Sequence, residues 1–372
     1  MKNNLRTVPA VFWLIIAAIL VFIVAGCSGT ATAATSAPAA TAPKTTLIPT
    51  IQAPPTTTVV ATITAPSPTT QTPPATTAAA SPTMVIPTVL YTPSAAPYTP
   101  TAAEQALYQY ALGLINADRA SKGLAAVTLN YNAAAQQHAK DMLANNYLAH
   151  WGTDGLKPYM RYTNAGELNY EAENSAYSSG SGPFDAKTEI QLLEQAMMAE
   201  GPGGSHYENI LNPSHKKVNV GVASSNTAVA FVEQFEGDYV EYFQPPTLTG
   251  NILSLSGRFK QAGLSINNMA ITYDDPPQPL TGTQLANGPY HSYGQGPVLG
   301  QVFPPPPQGS QYSNLPAGSV IAQKGYVDGI NFALEANISN ILAKGTGVYT
   351  VNLVAVVNGK AMSYTNYSIT VK

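Results

Sequence analysis

The chain has one cysteine among its 372 residues, Cys27. A single thiol excludes an intrachain disulfide and any zinc or iron–sulfur centre built from several cysteines. Charge is scarce too. Asp, Glu, Lys and Arg make up 10% of the residues, against about 25% in an ordinary soluble protein. The net charge is −3 and there is no basic run, which argues against nucleic acid as a partner. There is no H-E-x-x-H pair, no G-x-S-x-G elbow and no glycine-rich loop followed by Lys-Ser/Thr. Zincin, α/β-hydrolase and phosphate-loop chemistry therefore have no sequence footing.

What the chain has in quantity is proline, 31 residues, and it is unevenly spread. At the N-terminus, Lys2 and Arg6 precede an apolar run from Val8 to Gly26, which ends in Val24-Ala25-Gly26-Cys27. A basic start, an apolar stretch and small residues before a cut form the layout of a signal peptide, here residues 1–26. The site resembles the lipobox of bacterial lipoproteins, which implies that Cys27 is lipidated and becomes the first mature residue. The alternative is an uncleaved anchor, since about 19 apolar residues just span a bilayer. Either way the membrane is a partner, and the chain is expected on the extracellular face of a bacterial membrane.

Residues 27–100 are Thr, Ala, Pro and Ser with scattered Val and Ile, and Lys44 is the one charge between Ser28 and Pro100. Such a segment buries too little apolar surface to offset its ordering entropy. It is expected to be a disordered stalk. At about 3.1 Å per residue its reach is on the order of 200 Å. It serves either to lift the folded part through a surface layer or as a linker with no length requirement.

Two folded domains are expected beyond it, 101–243 and 245–372, with the boundary near Gln244-Pro245-Pro246. In the first, helical periodicity predicts helices over 102–122, 132–145 and 186–200, the last with Ile190, Leu193, Met197 and Glu200 on one stripe. Val218, Val220 and Val222 alternate as a strand, with Ala228 to Phe235 as its partner. Helices flanking a small sheet give an α-β-α sandwich. In the second, Leu248 to Phe259, Leu264 to Tyr273, Tyr349 to Val357 and Ala361 to Val371 read as strands, the last two joined by a hairpin turn at Asn358-Gly359. An all-β immunoglobulin-like sandwich is expected there, so the chain as a whole is α+β. That sandwich is either a binding module for carbohydrate or surface polymer, or an accessory domain covering its neighbour.

Five segments in order carry a resemblance. They are Leu114-Ile115-Asn116-x-x-Arg119; Ala135 to Met142; Ala149-His150-Trp151-Gly152-Thr153-Asp154-Gly155; Glu173-Asn174; and Ser205-His206-Tyr207-Glu208-Asn209-Ile210-Leu211-Asn212-Pro213, followed by Val220-Gly221-Val222. Together they resemble the CAP superfamily of cysteine-rich secretory and pathogenesis-related proteins, in its bacterial branch. The resemblance implies a cleft lined by two histidines and two glutamates. The histidines are His150 and His206 and the first glutamate is Glu173. The second is Glu200, with Glu194 and Glu208 as alternatives. Imidazole and carboxylate groups suit a divalent metal such as zinc, held by His150 and His206.

His138 is expected to be a hydrogen-bonded core residue, His215 part of a solvated turn, and His291 a surface residue. Three functions stay open: a surface protein binding a small ligand, lipid, wall polymer or divalent metal in the cleft; a metal-assisted hydrolase using Glu173 or Glu200; and a structural envelope protein. Catalysis is the least favoured. Cys27→Ala is expected to move the protein from the membrane pellet to the soluble fraction of fractionated cells, with loss of metabolic labelling by a fatty-acid analogue.

Overall fold

The structure, a computed structural model, describes residues 98–357 and 359–372 and two strand segments, Val21–Val24 and Thr62–Thr64. Cys27, its lipidation, and most of the expected signal peptide and stalk lie outside the described residues. Among the described residues, no helix is long and apolar enough to cross a membrane.

Five helices belong to the first unit: α1 (Ala102–Ser121), α2 (Ala133–Asn145), α3 (Pro158–Asn164), α4 (Ala186–Met198) and α5 (Ser205–Ile210). Thr101 and Glu104 close a reciprocal capping box that starts α1, and Asn132 caps α2 by accepting from Ala134 N–H. The sheet runs Glu171–Ser179, Ala228–Glu236, Lys217–Ser224, Thr128–Asn130, and Val21–Val24 adds to its outer edge. α2 packs on one face of the two central strands, and α1 and α4 pack on the other. Ile115, Ile190, Leu193, Val220 and Phe235 fill the layer under α1 and α4; Ala135, Ala139, Met142, Ala230 and Val232 fill the layer under α2. This is the expected α-β-α sandwich. The small residues on α2 let it lie close to the sheet. A Cβ on Gly221 would fall 2.1 Å from the Ala135 carbonyl oxygen, so a side chain there is excluded.

Arg119 fixes the far end of α1. It is 1% exposed and donates to three backbone carbonyls, Ala125 O at 2.9 Å, Ile210 O at 2.7 Å and Asn212 O at 3.0 Å. The helix expected to continue to Glu200 instead ends at Met198. Gly201 takes φ +69 and turns the chain, so Glu200 sits in the turn. α3 was not expected. Its seven residues are too few for periodicity to register, and Pro158 at its start reads as a breaker although it suits the first helical turn.

The second unit is two sheets over one core. The first runs Val240–Thr249, Ile252–Phe259, Asn331–Asn337, Lys324–Asp328. The second runs Val320–Ile321, Val298–Phe303, Ile266–Asp274, Gly347–Val357, and then Lys360–Ser363 and Tyr367–Val371, both paired to Gly347–Val357. Taken along the chain, these are the A-B-E-D and C′-C-F-G orders of the immunoglobulin fold. Leu253, Leu255, Phe332 and Leu334 from one sheet meet Met269, Ile271, Val351 and Leu353 from the other. Tyr349, near the start of the F strand, donates its hydroxyl proton back to Gly345 O at 2.9 Å, a tyrosine corner. Val357 pairs with Lys360, so a two-residue connection joins the hairpin, as expected; Asn358 itself lies outside the described residues. Residues 364–366 interrupt the returning strand. The first strand of this unit begins at Val240 and runs through Pro245-Pro246, where its register shifts. It is an edge strand, where proline removes no needed hydrogen bond.

The units are locked by polar contacts. Lys157 Nζ donates to Asp274 Oδ1 at 2.6 Å, and the Tyr159 hydroxyl donates to Asp274 Oδ2 at 2.6 Å. Asn366 pairs with the backbone N–H and C=O of Glu171 at 3.2 and 3.1 Å. Arg119→Met is expected to leave three carbonyls without their donor and to lower stability by about 3 kcal/mol, read as a lower urea midpoint with an unchanged slope.

Candidate functional site

Alternation along Glu171–Ser179 sends Glu173 and Asn174 to opposite faces of the sheet. Glu173 faces α2 and α3, and Asn174 faces α5. Glu173 is fully buried and its carboxylate has four partners. Arg161 Nη2 on α3 donates at 2.9 Å, His150 Nδ1 at 3.0 Å, Ser175 Oγ at 3.0 Å and Gln234 Nε2 at 3.1 Å. Burial alone would raise its pKa. The nearby Arg161 charge and the imidazoles outweigh that and hold the group down at about 2. Burial pushes the pKa of His150 down. Arg161 also donates to the His150 and Leu156 carbonyls, both at 2.8 Å, and so pins the loop that presents His150.

His206 is the second residue of the short helix α5. Its Nδ1 is hydrogen bonded to Glu200, whose other oxygen accepts the His206 backbone N–H at 3.0 Å. Gly204 makes this contact possible, because a Cβ there would fall 2.2 Å from Glu200 Cβ. His206 Nε2 is buried with no hydrogen-bond partner. Of the three glutamates weighed for the second carboxylate, Glu200 contacts His206. Glu208 is exposed and accepts from Gly203 N–H at 2.9 Å. Glu194 is buried beside Glu233 and Asp118, and burial with these like charges pushes it well above the usual carboxylate range.

The glutamates do not join the histidines as four convergent ligands. They form two carboxylate–imidazole pairs, His150–Glu173 and His206–Glu200. Among the described residues, no group of three or more His, Cys, Asp or Glu side chains is placed to hold a metal ion. A carboxylate with four donors has no lone pair left to offer.

Four residues of the site carry no sequence expectation, and the nearest in sequence is Ser175, two positions along the strand from Glu173. Arg161 lies on the unexpected α3. Gln234 is brought beside Glu173 only by strand pairing. Tyr293 comes from the second unit, and its hydroxyl oxygen accepts the Glu173 backbone N–H at 2.5 Å. No sequence signal marks Tyr293, because the contact spans 120 residues. His138 is the core residue expected, with Nε2 2.9 Å from Ala149 O and its pKa held to about 3 by burial. His215 is not solvated. It is 4% exposed, stacks on Phe235 at 5.1 Å, and bonds Asn209 Oδ1 at 2.8 Å. The turn after α5 folds its ring inward, where an aromatic neighbour covers it. His291 is half-buried at the surface, with Nε2 3.1 Å from Ala286 O.

Residues 112–235 match the model of the CAP, cysteine-rich secretory protein family. This part of the chain is a CAP domain. A solved structure it is similar to is the 1.5 Å crystal structure of an extracellular protein containing a SCP domain from Bacillus anthracis str. Ames. The two are 22% identical with a TM-score of 0.29, over 38% of this chain and 45% of that one. The chain thus spans less than half the length of that protein. No curated protein matches the chain.

Glu173→Gln leaves Arg161 buried without its counter-charge, which is expected to cost about 3–5 kcal/mol at pH 7. The native carboxylate titrates below its unfolded value, so its contribution is present above the unfolded pKa of about 4.5 and is lost as pH falls toward 2. Urea melts at pH 7 and pH 3 should show the deficit of the variant shrinking at the lower pH.

Proposed function

We propose that the chain is a surface protein, tethered through Cys27, whose CAP domain binds a small ligand or divalent cation between His150 and His206. One observation carries this reading: His206 Nε2 is a buried ring nitrogen without a partner, on an imidazole whose Nδ1 is already fixed by Glu200. Structures keep few buried polar atoms unsatisfied, and a bound group accounts for one. A carboxylate on Nδ1 sets the tautomer that leaves Nε2 as the lone-pair donor, the arrangement usual behind a metal-bound histidine.

On this reading a divalent cation such as zinc would be held by His206 together with His150, and Glu173 and Glu200 would orient the rings. When bound, it would supply a Lewis acid. The hydrolase alternative has less support. It needs a glutamate free to take a proton from water, and Glu173 is saturated by four donors. The sandwich is read as an accessory domain, since its loop seats on the cleft.

Calorimetric titration of zinc into the full chain tests this reading. Stoichiometric binding is expected, with His206→Ala reducing affinity at least tenfold and His150→Ala/His206→Ala abolishing it. Equal binding by wild type and the double variant, or no binding by either, would overturn the cation reading.

A further inference from the structure

The connection between the C and C′ strands of the sandwich, residues 275–297, leaves its own unit and lies on the CAP domain. Leu280 N–H donates to Thr153 O at 2.8 Å, and Trp151 Nε1–H donates to Ser292 O at 3.0 Å. His150 N–H donates to Tyr290 O at 3.0 Å. Lys157 Nζ donates to Gly294 O at 2.7 Å. The approach is close enough to require glycine on both sides. A Cβ on Gly155 would fall 2.2 Å from Gln278 O, and one on Gly282 would fall 2.1 Å from Asn145 O.

At the centre of this contact Tyr293 packs against His150. Its ring centroid lies 4.7 Å from that of His150, with 56° between the planes. Its hydroxyl oxygen accepts the backbone N–H of Glu173. His150 is 0% exposed. The face of His150 is therefore covered by a flat ring tilted against the imidazole. A strand N–H points at an acceptor oxygen carried by that ring. A phenol meets both requirements. An aliphatic or unsubstituted aromatic group would leave the Glu173 N–H without an acceptor, which is costly in a buried site.

We propose that the cleft over His150 is a subsite for a phenolic ring, that Tyr293 is its internal occupant, and that an external tyrosyl or phenolic ligand competes with it. The proposal rests on the reading of the cleft as a ligand site, but it concerns a different ligand and is tested without metal. It also gives the second unit a role, as the element that fills its neighbour's cleft.

The test uses the full chain, with Tyr293→Ala to vacate the subsite and Tyr293→Phe to keep the ring and remove the oxygen. The probes are p-cresol and, as a control lacking the hydroxyl, toluene. Diethylpyrocarbonate modification of each histidine is followed by peptide mass mapping. In wild type, His291 is expected to react and His150 to be protected. In Tyr293→Ala, His150 is expected to react at least tenfold faster, p-cresol to restore protection, and toluene to protect several-fold less. Calorimetry is expected to show p-cresol binding Tyr293→Ala at least tenfold more tightly than wild type. Tyr293→Phe, which keeps the packing should the alanine variant unfold, is expected to speed His150 modification several-fold. Equal His150 reactivity in wild type and the variants, or equal p-cresol affinity in wild type and Tyr293→Ala, would overturn the proposal. Either result would leave the zinc titration to stand or fall separately.

Discussion

The buried carboxylate of Glu173 is the constraint around which the first unit is arranged. A charge at zero exposure is tolerated only when it is paired and fully hydrogen bonded. The partners come from separate parts of the chain: Arg161 from α3, His150 from the loop after α2, Ser175 from the same strand and Gln234 from the next. Satisfying one carboxylate thus fixes the position of α3, the orientation of the His150 ring and the register of two strands. Arg161 extends the arrangement by holding the carbonyls of His150 and Leu156.

The other buried acids behave in the opposite way. Burial raises Glu171, Glu194 and Glu233, and Glu236 reaches about 8. Glu236 accepts a hydrogen bond from the Tyr162 hydroxyl and has Lys217 Nζ at 3.5 Å. For these carboxyls the cost of burial outweighs whatever cation lies near, so the shift is upward. Their linkage to folding has the reverse sign from that of Glu173. Groups raised in the folded state favour folding at low pH and oppose it as pH rises through the raised value, whereas Glu173 favours folding above its unfolded pKa.

The second unit is not a separate bead on the chain. Its core is its own, with sheets facing across Leu255, Phe332, Ile271 and Leu353. Its contacts with the CAP domain are both apolar and polar: Leu285 is buried against Ala139 and Met142, Val348 against Tyr159 and Met160, Lys157 and Tyr159 bond Asp274, Asn366 bonds the backbone of Glu171, and the C–C′ connection lies over His150. Glu171 and Glu173 are two residues apart, so the same strand that holds the cleft carboxylate also anchors the sandwich. A change in how the two units dock is thereby a change at the cleft.

Much of this was legible in the amino-acid sequence because it is local. The apolar stripes of α1, α2 and α4, the alternation of Val218, Val220 and Val222, and the two-residue turn after Val357 are all set by neighbours within a few positions. The histidines and Glu173 were legible through ordered motifs. What tertiary structure alone decided is which groups meet. Whether Glu173 ligates or orients depends on how many donors surround it, and those donors arrive from positions 150, 161, 175 and 234. Lys216 and Lys217 after it predict a solvated His215, yet packing against Phe235 buries it. Tyr293 reaches the cleft through the docking of two units. The sequence by itself determined the long periodic elements, the two fold classes and the chemistry available, but not the short helix α3. Long-range packing decided which of those groups are spent on one another, and that the His206 Nε2 is buried without a hydrogen-bond partner.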